Sequence, residues 1–254
     1  MKIHKEIWYN YWMPPYQSEE PNFYDPNDFK WAEEIKALTA EVKIEILKIL
    51  NDRGGDLIPY YSEAVSTDKN KWVTLAFKTW GIDVKENLLK APTISQFLQR
   101  HPYIVSASMN LLKPHSTLNR HQGDTNAIFR CHLGISVEAS LPELGFEVEG
   151  EKRSWQEGDL LIFIDAKEHA AWNNSNSNRL IFLFDVIREE FLPDQKKICI
   201  NVRAFLLLQW IGGKFKYFLK LPKWLHRIVH WKIKVLLYII HPYQKKKGVI
   251  IKHT

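Results

Sequence analysis

The stretch from His115 to Arg188 constrains the fold of this chain more than any other part of the sequence. Short apolar runs alternate there with turns rich in Gly, Asn, Asp and Ser, a pattern typical of compact antiparallel β-structure. The runs cover residues 127–137, 160–164 and 180–187. Hydrophobic residues make up 45% of the 254 positions, which is enough for one domain with a sizeable core.

Imidazole and guanidinium side chains lie between these apolar runs. His121 and His169 are far apart in sequence, and each falls at the edge of a predicted strand, an arrangement that suits a mononuclear metal. Neutral imidazole is a good ligand for Fe(II). Arg179 follows the second histidine by ten residues, and its planar fork can hold a carboxylate through two hydrogen bonds. The pattern therefore indicates a metal with an anionic co-substrate beside it.

Strand periodicity places further candidate residues on shared faces. Because side chains alternate along a strand, Arg130 and His132 share one face and Cys131 points away. The face that carries Arg179 also carries the alternate residues of its strand, which are Ile181, Leu183 and Asp185. The sequence thus predicts that Arg130 and His132 share a face of one strand, and that Arg179 and Asp185 share a face of another.

Five short motifs follow one another through the same stretch. They are HQGDTN at 121–126, RCHLG at 130–134, WQEG at 155–158, DAKEHAAW at 165–172 and RLIFLFD at 179–185. In content, order and spacing they resemble the aspartyl/asparaginyl β-hydroxylase family, and the resemblance covers residues 22–192. It implies a mainly β fold with added helices, built on a double-stranded β-helix (a cupin-like jelly roll). It also implies Fe(II) as metal, 2-oxoglutarate as co-substrate and O2 as oxidant.

The resemblance implies that His121 and His169 are the two protein ligands of the iron. Related dioxygenases generally carry a carboxylate two residues after the first histidine, and here Gly123 occupies that position. The family departs from the general pattern in the same way, with water in the third place. Asp124 and Asp165 are the alternative third ligands, although Asp124 is one residue off register and suits a turn cap better.

The resemblance also assigns the residues around the co-substrate. Arg179 is expected on the distal carboxylate of 2-oxoglutarate, and Arg130 and His132 on the co-substrate or on a substrate carboxylate. Asn110 falls where the family usually has a small hydroxyl residue near the co-substrate. Two plainer interpretations stay open: a single strand histidine is more often a hydrogen-bonded core residue than a ligand, and Arg130 could be a buried salt-bridge partner.

The remaining sequence divides the chain into a catalytic part, residues 1–195, and a basic aromatic tail, residues 196–254. Residues 1–27 are rich in aromatics and are predicted to form an extended arm packed on the domain. Residues 28–50 carry an apolar stripe at helical spacing and predict one helix capped by Asp28. Strands are predicted at 72–79 and 105–112, with a short helix that begins at Pro92 between them.

Charge separates these two parts sharply. The chain has 35 basic and 29 acidic residues, and residues 196–254 hold 14 of the basic residues and none of the acidic ones. The net +6 therefore divides into −8 for residues 1–195 and +14 for the tail. Basic residues interleaved with Trp, Tyr and Phe suit an interfacial helix on an anionic membrane. The alternative is that the apolar residues pack on the domain and leave a solvated basic face; nucleic-acid binding is a weaker prediction, since no such module is visible.

Cysteine content and hydropathy bear on the compartment. Cys131 and Cys199 give no disulfide framework and have no metal-site spacing, which favours a reducing cytoplasm. The first residues lack the apolar segment of a secretory signal, and no apolar run reaches the length of a membrane-spanning helix. The expected location is cytoplasmic, with the tail as a means of peripheral attachment to the inner face of a membrane.

By resemblance, the expected function is hydroxylation of an unactivated carbon, with the β-carbon of Asp or Asn in a peptide or protein as first candidate. A membrane-associated hydroxylase of a lipid acyl chain is the alternative, and the basic tail favours it. A non-catalytic protein that uses the pocket only for binding is a third hypothesis. The presence of His121, His169 and Arg179 speaks against that third hypothesis.

Overall fold

The computed structural model describes residues 6–53, 58–59 and 70–248. The strands are β1 (Ile58–Pro59), β2 (Trp72–Thr79), β3 (Ile82–Asp83), β4 (Ile104–Leu112), β5 (Ser116–His121), β6 (Ile128–Ser136), β7 (Leu144–Val148), β8 (Glu151–Arg153), β9 (Leu160–Ile164), β10 (His169–Asn173) and β11 (Arg179–Ile187). The α-helices are α1 (Lys30–Ala37), α2 (Thr39–Asp52), α3 (Lys85–Leu88), α4 (Pro92–Arg100), α5 (Gln195–Lys214) and α6 (Lys223–Lys247).

Two antiparallel sheets form the centre of the described molecule. The larger sheet has the order β1-β2-β4-β11-β6-β9, with β3 beside β2, and the smaller sheet has the order β5-β10-β7-β8. From β4 onward the chain passes from one sheet to the other at each connection except the β7–β8 hairpin. This is the path of a double-stranded β-helix, so the predicted jelly roll with added helices is confirmed.

Alternation along the strands gives the larger sheet two different faces. On β6, Cys131 and Leu133 belong to the hydrophobic core under the helices, while His132 between them contacts rings from the smaller sheet. On β11, Phe182 likewise faces the helices and Ile181 faces the smaller sheet. The space between the two sheets is therefore lined by His132 together with apolar side chains such as Ile181.

The helical layer differs from the prediction at one point. Instead of one helix over 28–50, the chain forms α1 and α2, which are separated at Leu38, where φ is −93° and ψ is 8°. Leu38 leaves helical geometry, and the Thr39 hydroxyl donates a hydrogen bond to the Lys36 carbonyl at the break. Asp28 is not the cap, because Asp25 caps a short 3-10 turn that precedes α1. The predictions for 72–79 and for the helix at Pro92 are confirmed, and the strand predicted at 105–112 begins one residue earlier.

The aromatic arm packs on the domain as predicted, for the residues from 6 to 27 that the structure describes. Trp8, Tyr16 and Phe23 are buried. Tyr24 forms an isolated antiparallel bridge with Ile162 of β9, and its amide donates to the Ile162 carbonyl at 2.9 Å. The arm thereby covers the edge of the larger sheet, which would otherwise expose unpaired backbone groups.

The basic tail begins as part of the domain. On α5, Ile198 and Val202 share a hydrophobic cluster with Trp80, Ile128 and Ile187 of the β-domain. α6 packs on α5 through a smaller cluster of Ile200, Ala204 and Leu237. The predicted division at 195 thus coincides with the start of a helix whose inner face is core. In the described ranges, no helix combines the length and apolar character needed to cross a membrane.

Candidate active site

Two histidines meet where β5 ends and β10 begins. The antiparallel register pairs His121 directly with His169, and their ring centroids lie 4.2 Å apart. Strand pairing thus brings together two side chains that are 48 residues apart in sequence. The structure therefore places both predicted metal ligands at one point, at the end of the smaller sheet.

Backbone carbonyls fix the tautomer of both rings. The Nδ1 of His121 lies 2.7 Å from the carbonyl oxygen of Asn119, and the Nδ1 of His169 lies 2.7 Å from that of Lys167. A carbonyl oxygen can only accept, so each Nδ1 carries the hydrogen and each Nε2 keeps its lone pair. Burial lowers the pKa of His121 and holds the pKa of His169 well below the usual range. Both rings are therefore neutral near pH 7 and ready to bind a metal through Nε2.

The third position of the general dioxygenase pattern is closed to a side chain. A Cβ at Gly123 would lie 1.9 Å from Oδ2 of Asp165, so a carboxylate-bearing residue does not fit there. The Asp165 carboxylate is itself held by the amide of Asp124 at 2.9 Å and by Nη1 of Arg130 at 2.5 Å. Within the described chain, no three or more His, Cys, Asp or Glu side chains are placed to hold a metal together.

Arg130 lines the cavity and also makes ion pairs, so its predicted contact with the co-substrate or a substrate carboxylate stays a prediction. It lines the cavity beside the histidines, but its Nε and Nη2 donate to the two carboxylate oxygens of Asp185 at 2.8 and 3.1 Å. Because β6 and β11 pair Arg130 with Asp185, the guanidinium lies between Asp185 and Asp165. Arg130 therefore has the salt-bridge role that the sequence left open as the plainer alternative.

Arg179 has a different environment at the start of β11. It is 2% exposed, its guanidinium lies over the ring of Trp155 at 4.6 Å, and its Nε has no hydrogen-bond partner among the described residues. Burial lowers its pKa to about 9, so the side chain stays charged at neutral pH. An isolated buried cation costs free energy unless an anion joins it. Arg179 is therefore placed to receive a carboxylate.

His132 is the second buried residue of the cavity whose polar atoms lack a hydrogen-bond partner among the described residues. Neither ring nitrogen has a hydrogen-bond partner in the described part of the chain. Its ring lies among Phe146, Phe163 and Trp155, and burial together with Arg179 holds its pKa well below the usual range. A neutral His132 offers one N–H donor and one acceptor to a ligand in the cavity.

Asn110 lies on β4 in the same cavity and is held by its neighbours. Its Oδ1 accepts from the indole of Trp72 at 3.2 Å, and its Nδ2 donates to Ser108 Oγ at 2.8 Å. The cavity between these groups measures about 40 Å3, which is room for a few water molecules. A larger ligand would require surrounding side chains to move.

Sequence reasoning missed several groups that shape this site. Trp155 was recognised only as part of a motif, although it carries Arg179 on its ring face. The carbonyls of Asn119 and Lys167 give no sequence signal, because any residue supplies one. Asp185 did have a signal: it was placed on the strand face that also carries Arg179, and pairing with β6 then sets it opposite Arg130.

The fold and the paired imidazoles define a jelly-roll protein with a two-histidine candidate metal site. A family model described as aspartyl/asparaginyl beta-hydroxylase matches residues 37–189, which is more than half of the chain. The chain therefore belongs to the aspartyl/asparaginyl beta-hydroxylase family and is a hydroxylase by family.

Individual relatives and solved structures are similar to large parts of the chain. The ornithine lipid ester-linked acyl 2-hydroxylase of Rhizobium tropici is 30% identical over 173 residues, which cover 66% of this chain and 61% of that protein. Human aspartyl/asparaginyl beta-hydroxylase is 26% identical, over 69% of this chain and 24% of that protein. The chain thus spans less than two thirds of the length of either relative. A prolyl-4-hydroxylase from Pseudomonas putida gives a TM-score of 0.38 at 14% identity, over 59% of this chain and 88% of that one.

Proposed function

We propose that this protein is an Fe(II)- and 2-oxoglutarate-dependent dioxygenase that hydroxylates an unactivated carbon. The observation that carries the proposal is a set of buried groups without partners beside two neutral imidazoles. Arg179 and His132 have unused hydrogen-bonding atoms among the described residues, and His121 and His169 keep both Nε2 lone pairs. A metal and a dicarboxylate would satisfy all four residues at once.

Each side chain has a defined part in this proposal. His121 and His169 would hold the iron through Nε2, and Arg179 would hold the distal carboxylate of 2-oxoglutarate while Trp155 keeps its guanidinium in place. His132 would donate its N–H to the same co-substrate. Bound iron, 2-oxoglutarate and O2 together supply the chemistry: the co-substrate leaves as succinate and carbon dioxide, and a substrate C–H bond becomes C–OH.

Aromatic rings and an ion-pair network surround the two histidines of the site. Phe146 and Phe163 contact both His132 and His169, with ring-centroid distances between 5.0 and 5.9 Å. These apolar rings lower the local dielectric, which strengthens charge interactions in the cavity. Arg130 holds Asp165, and Asp165 accepts from the turn that follows His121, so this network would position the first imidazole.

Conversion of 2-oxoglutarate to succinate tests the proposal. With Fe(II), ascorbate and O2, the wild type should form succinate, while His121→Ala and His169→Ala should form none, because each variant loses one of two ligands. His115→Asn is the matched control, since His115 is an exposed loop histidine at the opposite end of β5 from His121. Turnover by the two alanine variants at the wild-type rate would refute the proposal. Binding of metal and 2-oxoglutarate without turnover would favour the non-catalytic alternative.

The environment of Arg130 bears on the substrate. Arg130 and Arg179 are the Lys or Arg side chains among the described residues that line the cavity. Arg179 is assigned to the co-substrate, and Arg130 already contacts Asp185 and Asp165. This leaves no uncommitted guanidinium in the described lining for the carboxylate of a peptide Asp, and so favours an uncharged target such as a lipid acyl chain. The Rhizobium tropici relative, whose name specifies acyl 2-hydroxylation of a lipid, supports the same choice.

Parallel incubations decide between the two substrate classes. The full chain would be supplied with Fe(II), ascorbate and 2-oxoglutarate, together with either a bacterial lipid extract or a library of Asp- and Asn-containing peptides. We expect mass spectrometry to show the gain of one oxygen atom in a lipid acyl chain. Oxygen gain in the peptides alone would restore the peptide substrate predicted first from the sequence.

A further inference from the structure

Helix α6 exposes an apolar face, which is unusual for a helix on a protein surface. The side chains that it buries against the protein include three histidines, namely His226, His230 and His241. Its outer face is apolar, with residues that recur at i, i+4, i+7, i+11 and i+15. They are Trp224, Ile228, Trp231, Val235 and Ile239, and all are exposed. A water-soluble surface helix places its apolar stripe inward, whereas α6 packs Leu237 inward and also exposes a second apolar stripe outward.

The apolar surface continues beyond α6. Fourteen of the 19 exposed large hydrophobic residues in the described chain fall between residues 207 and 243. The connector between α5 and α6, residues 215–222, contributes Phe215, Tyr217 and Leu219. Exposed apolar residues are common singly, but a contiguous group marks a contact surface. We call the outer face of α6 together with this connector the hairpin surface.

Charge surrounds the apolar centre of the hairpin surface. Residues 196–248 contain 13 Lys or Arg residues and no Asp or Glu. On α6 the basic residues flank the apolar stripe, with Arg227 and Lys234 on one side of the helix and Lys232 on the other by helical periodicity. A partner of this surface must therefore accept both the apolar side chains and the positive charges on either side of them.

We propose that the hairpin surface binds an anionic lipid bilayer at the level of the headgroups. Trp and Tyr side chains favour the boundary between headgroups and acyl chains, and Lys and Arg favour anionic lipids. A second copy of this chain fits poorly, because a two-fold contact would bring two uniformly positive surfaces together. An anionic bilayer supplies the opposite charge and an apolar layer in one partner.

The arm connects helices α5 and α6, on the side opposite the hairpin surface, to the candidate active site. Tyr11 stacks on Phe205 of α5 with centroids 5.3 Å apart, and Trp12 meets His230 of α6 edge-on at 5.8 Å. In the same arm, Asn10 donates to the carbonyl of Gln122 at 2.7 Å, directly after the ligand His121. Bilayer binding would thus hold the metal-binding turn close to the source of a lipid substrate, although the binding itself does not depend on the reaction.

Vesicle sedimentation with the full chain tests the proposal. We expect the wild type to sediment with phosphatidylcholine vesicles that contain phosphatidylglycerol, to bind pure phosphatidylcholine much less, and to lose binding as salt rises. The variant Trp224→Gln/Trp231→Gln/Ile239→Gln should lose at least about tenfold in affinity for these vesicles, because it removes apolar area from the interface. The matched control is Ile44→Gln/Leu89→Gln, whose side chains are 68% and 85% exposed on other surfaces.

Two outcomes would overturn the proposal. One is a wild type that stays in solution with anionic vesicles at low salt. The other is equal binding by the triple variant and the control. Sedimentation equilibrium of the same proteins without lipid identifies the competing partner: a wild-type dimer that the triple variant abolishes would assign the hairpin surface to a second copy. These readouts use no enzymatic activity, so they stand or fall separately from the hydroxylase proposal.

Discussion

The interior of the jelly roll and the outer face of α6 violate the ordinary rules of folding in opposite ways. Between the sheets, Arg179 and His132 are buried with polar atoms that have no described partner. On α6, Trp231 and Ile239 are 62% and 70% exposed while His230 is buried. A buried unsatisfied polar group costs about 1–3 kcal/mol, and exposed apolar area loses its burial free energy. Each region becomes consistent only when a partner is added, which is how functional sites usually appear in a sequence that otherwise agrees with its fold.

The two regions also differ in how rigidly they are held. The cavity is built from strands whose register is fixed on both sides, since β11 pairs with β4 and with β6 along its length. α6 is attached mainly along one face, through Leu237, Ile233, Ile240 and the histidines. A metal and a dicarboxylate require fixed geometry, whereas a bilayer surface adapts to the protein. The comparison therefore assigns a small polar ligand to the first region and an extended apolar partner to the second.

Truncation gives the largest expected effect and separates the inner face of α5 from the outer face of α6. A chain that ends at Lys197 loses Ile198, Val202 and the rest of the α5 core, and should not fold. Each buried aliphatic side chain contributes about 1.5–3 kcal/mol, against a total stability of about 5–15 kcal/mol. A chain that ends at Leu221 keeps α5 and should retain cooperative thermal unfolding and metal binding, but not vesicle binding. The measurements are circular dichroism and sedimentation.

This expectation differs from what the division at residue 195 suggests by itself, namely a tail that could be removed near residue 197 without loss of the domain. Cooperative unfolding of the chain that ends at Lys197, with a melting temperature near that of the wild type, would show that α5 is not part of the core. Vesicle binding by the chain that ends at Leu221 would move the membrane contact away from α6.

Replacing Arg179 by Leu tests whether the unpartnered charge in the cavity serves a ligand. The 2-oxoglutarate concentration that gives half-maximal succinate formation should rise about tenfold or more, because a hydrogen bond to a charged group is worth about 1.5–3 kcal/mol. The melting temperature without ligand should stay the same or rise, since a buried charge without a partner is removed. Arg100→Leu, which breaks an exposed ion pair with Glu34, is the control and should change neither quantity much. A large loss of stability in Arg179→Leu with an unchanged titration would show a structural role.

Acidification should have a smaller effect, on the stability of the packing between α6 and the rest of the protein. Burial, with Lys234 nearby, lowers the pKa of His230 to about 4. Since its folded pKa lies below its unfolded value of about 6.5, His230 contributes stability that is present above pH 6.5 and is lost as the pH falls toward 4. His230→Phe keeps the stacking on Phe205 and removes the titration. Between pH 6.5 and 4, the free energy of unfolding of this variant should therefore fall by about 1–2 kcal/mol less than that of the wild type. Parallel curves of unfolding free energy against pH for the two proteins would disprove this role.

Strand periodicity and motif spacing predicted much of the fold and of the site. On β6, His132 and Cys131 point to opposite faces of the sheet, as the alternation predicted. The strand predicted at 72–79 has the predicted bounds. The family motifs named His121 and His169, and the register of β5 with β10 brings these two together. These features depend on local pattern, which a single sequence carries.

The features that the sequence did not predict depend on contacts between distant segments. The break at Leu38 lies inside a continuous apolar stripe, so helical spacing gives no sign of it. The pairing of Arg130 with Asp165 and Asp185 needs three different strands and turns in register. The exposure of the apolar face of α6 was not predicted either, because a sequence shows that a helix has two different faces but not which one packs on the protein. That α5 is core and α6 is exposed follows only from how the arm and β-domain pack against them.

The most direct test of the hydroxylase assignment is equilibrium dialysis of the full chain against labelled 2-oxoglutarate, with Fe(II) and without oxygen. Oxygen is excluded so that binding is measured without turnover, and a second dialysis without metal shows how much binding depends on iron. The assignment predicts retention of one 2-oxoglutarate per chain when Fe(II) is present, and loss of that retention in His169→Ala and in Arg179→Leu. Failure of the wild type to retain 2-oxoglutarate with Fe(II), or equal retention by His169→Ala, would contradict it.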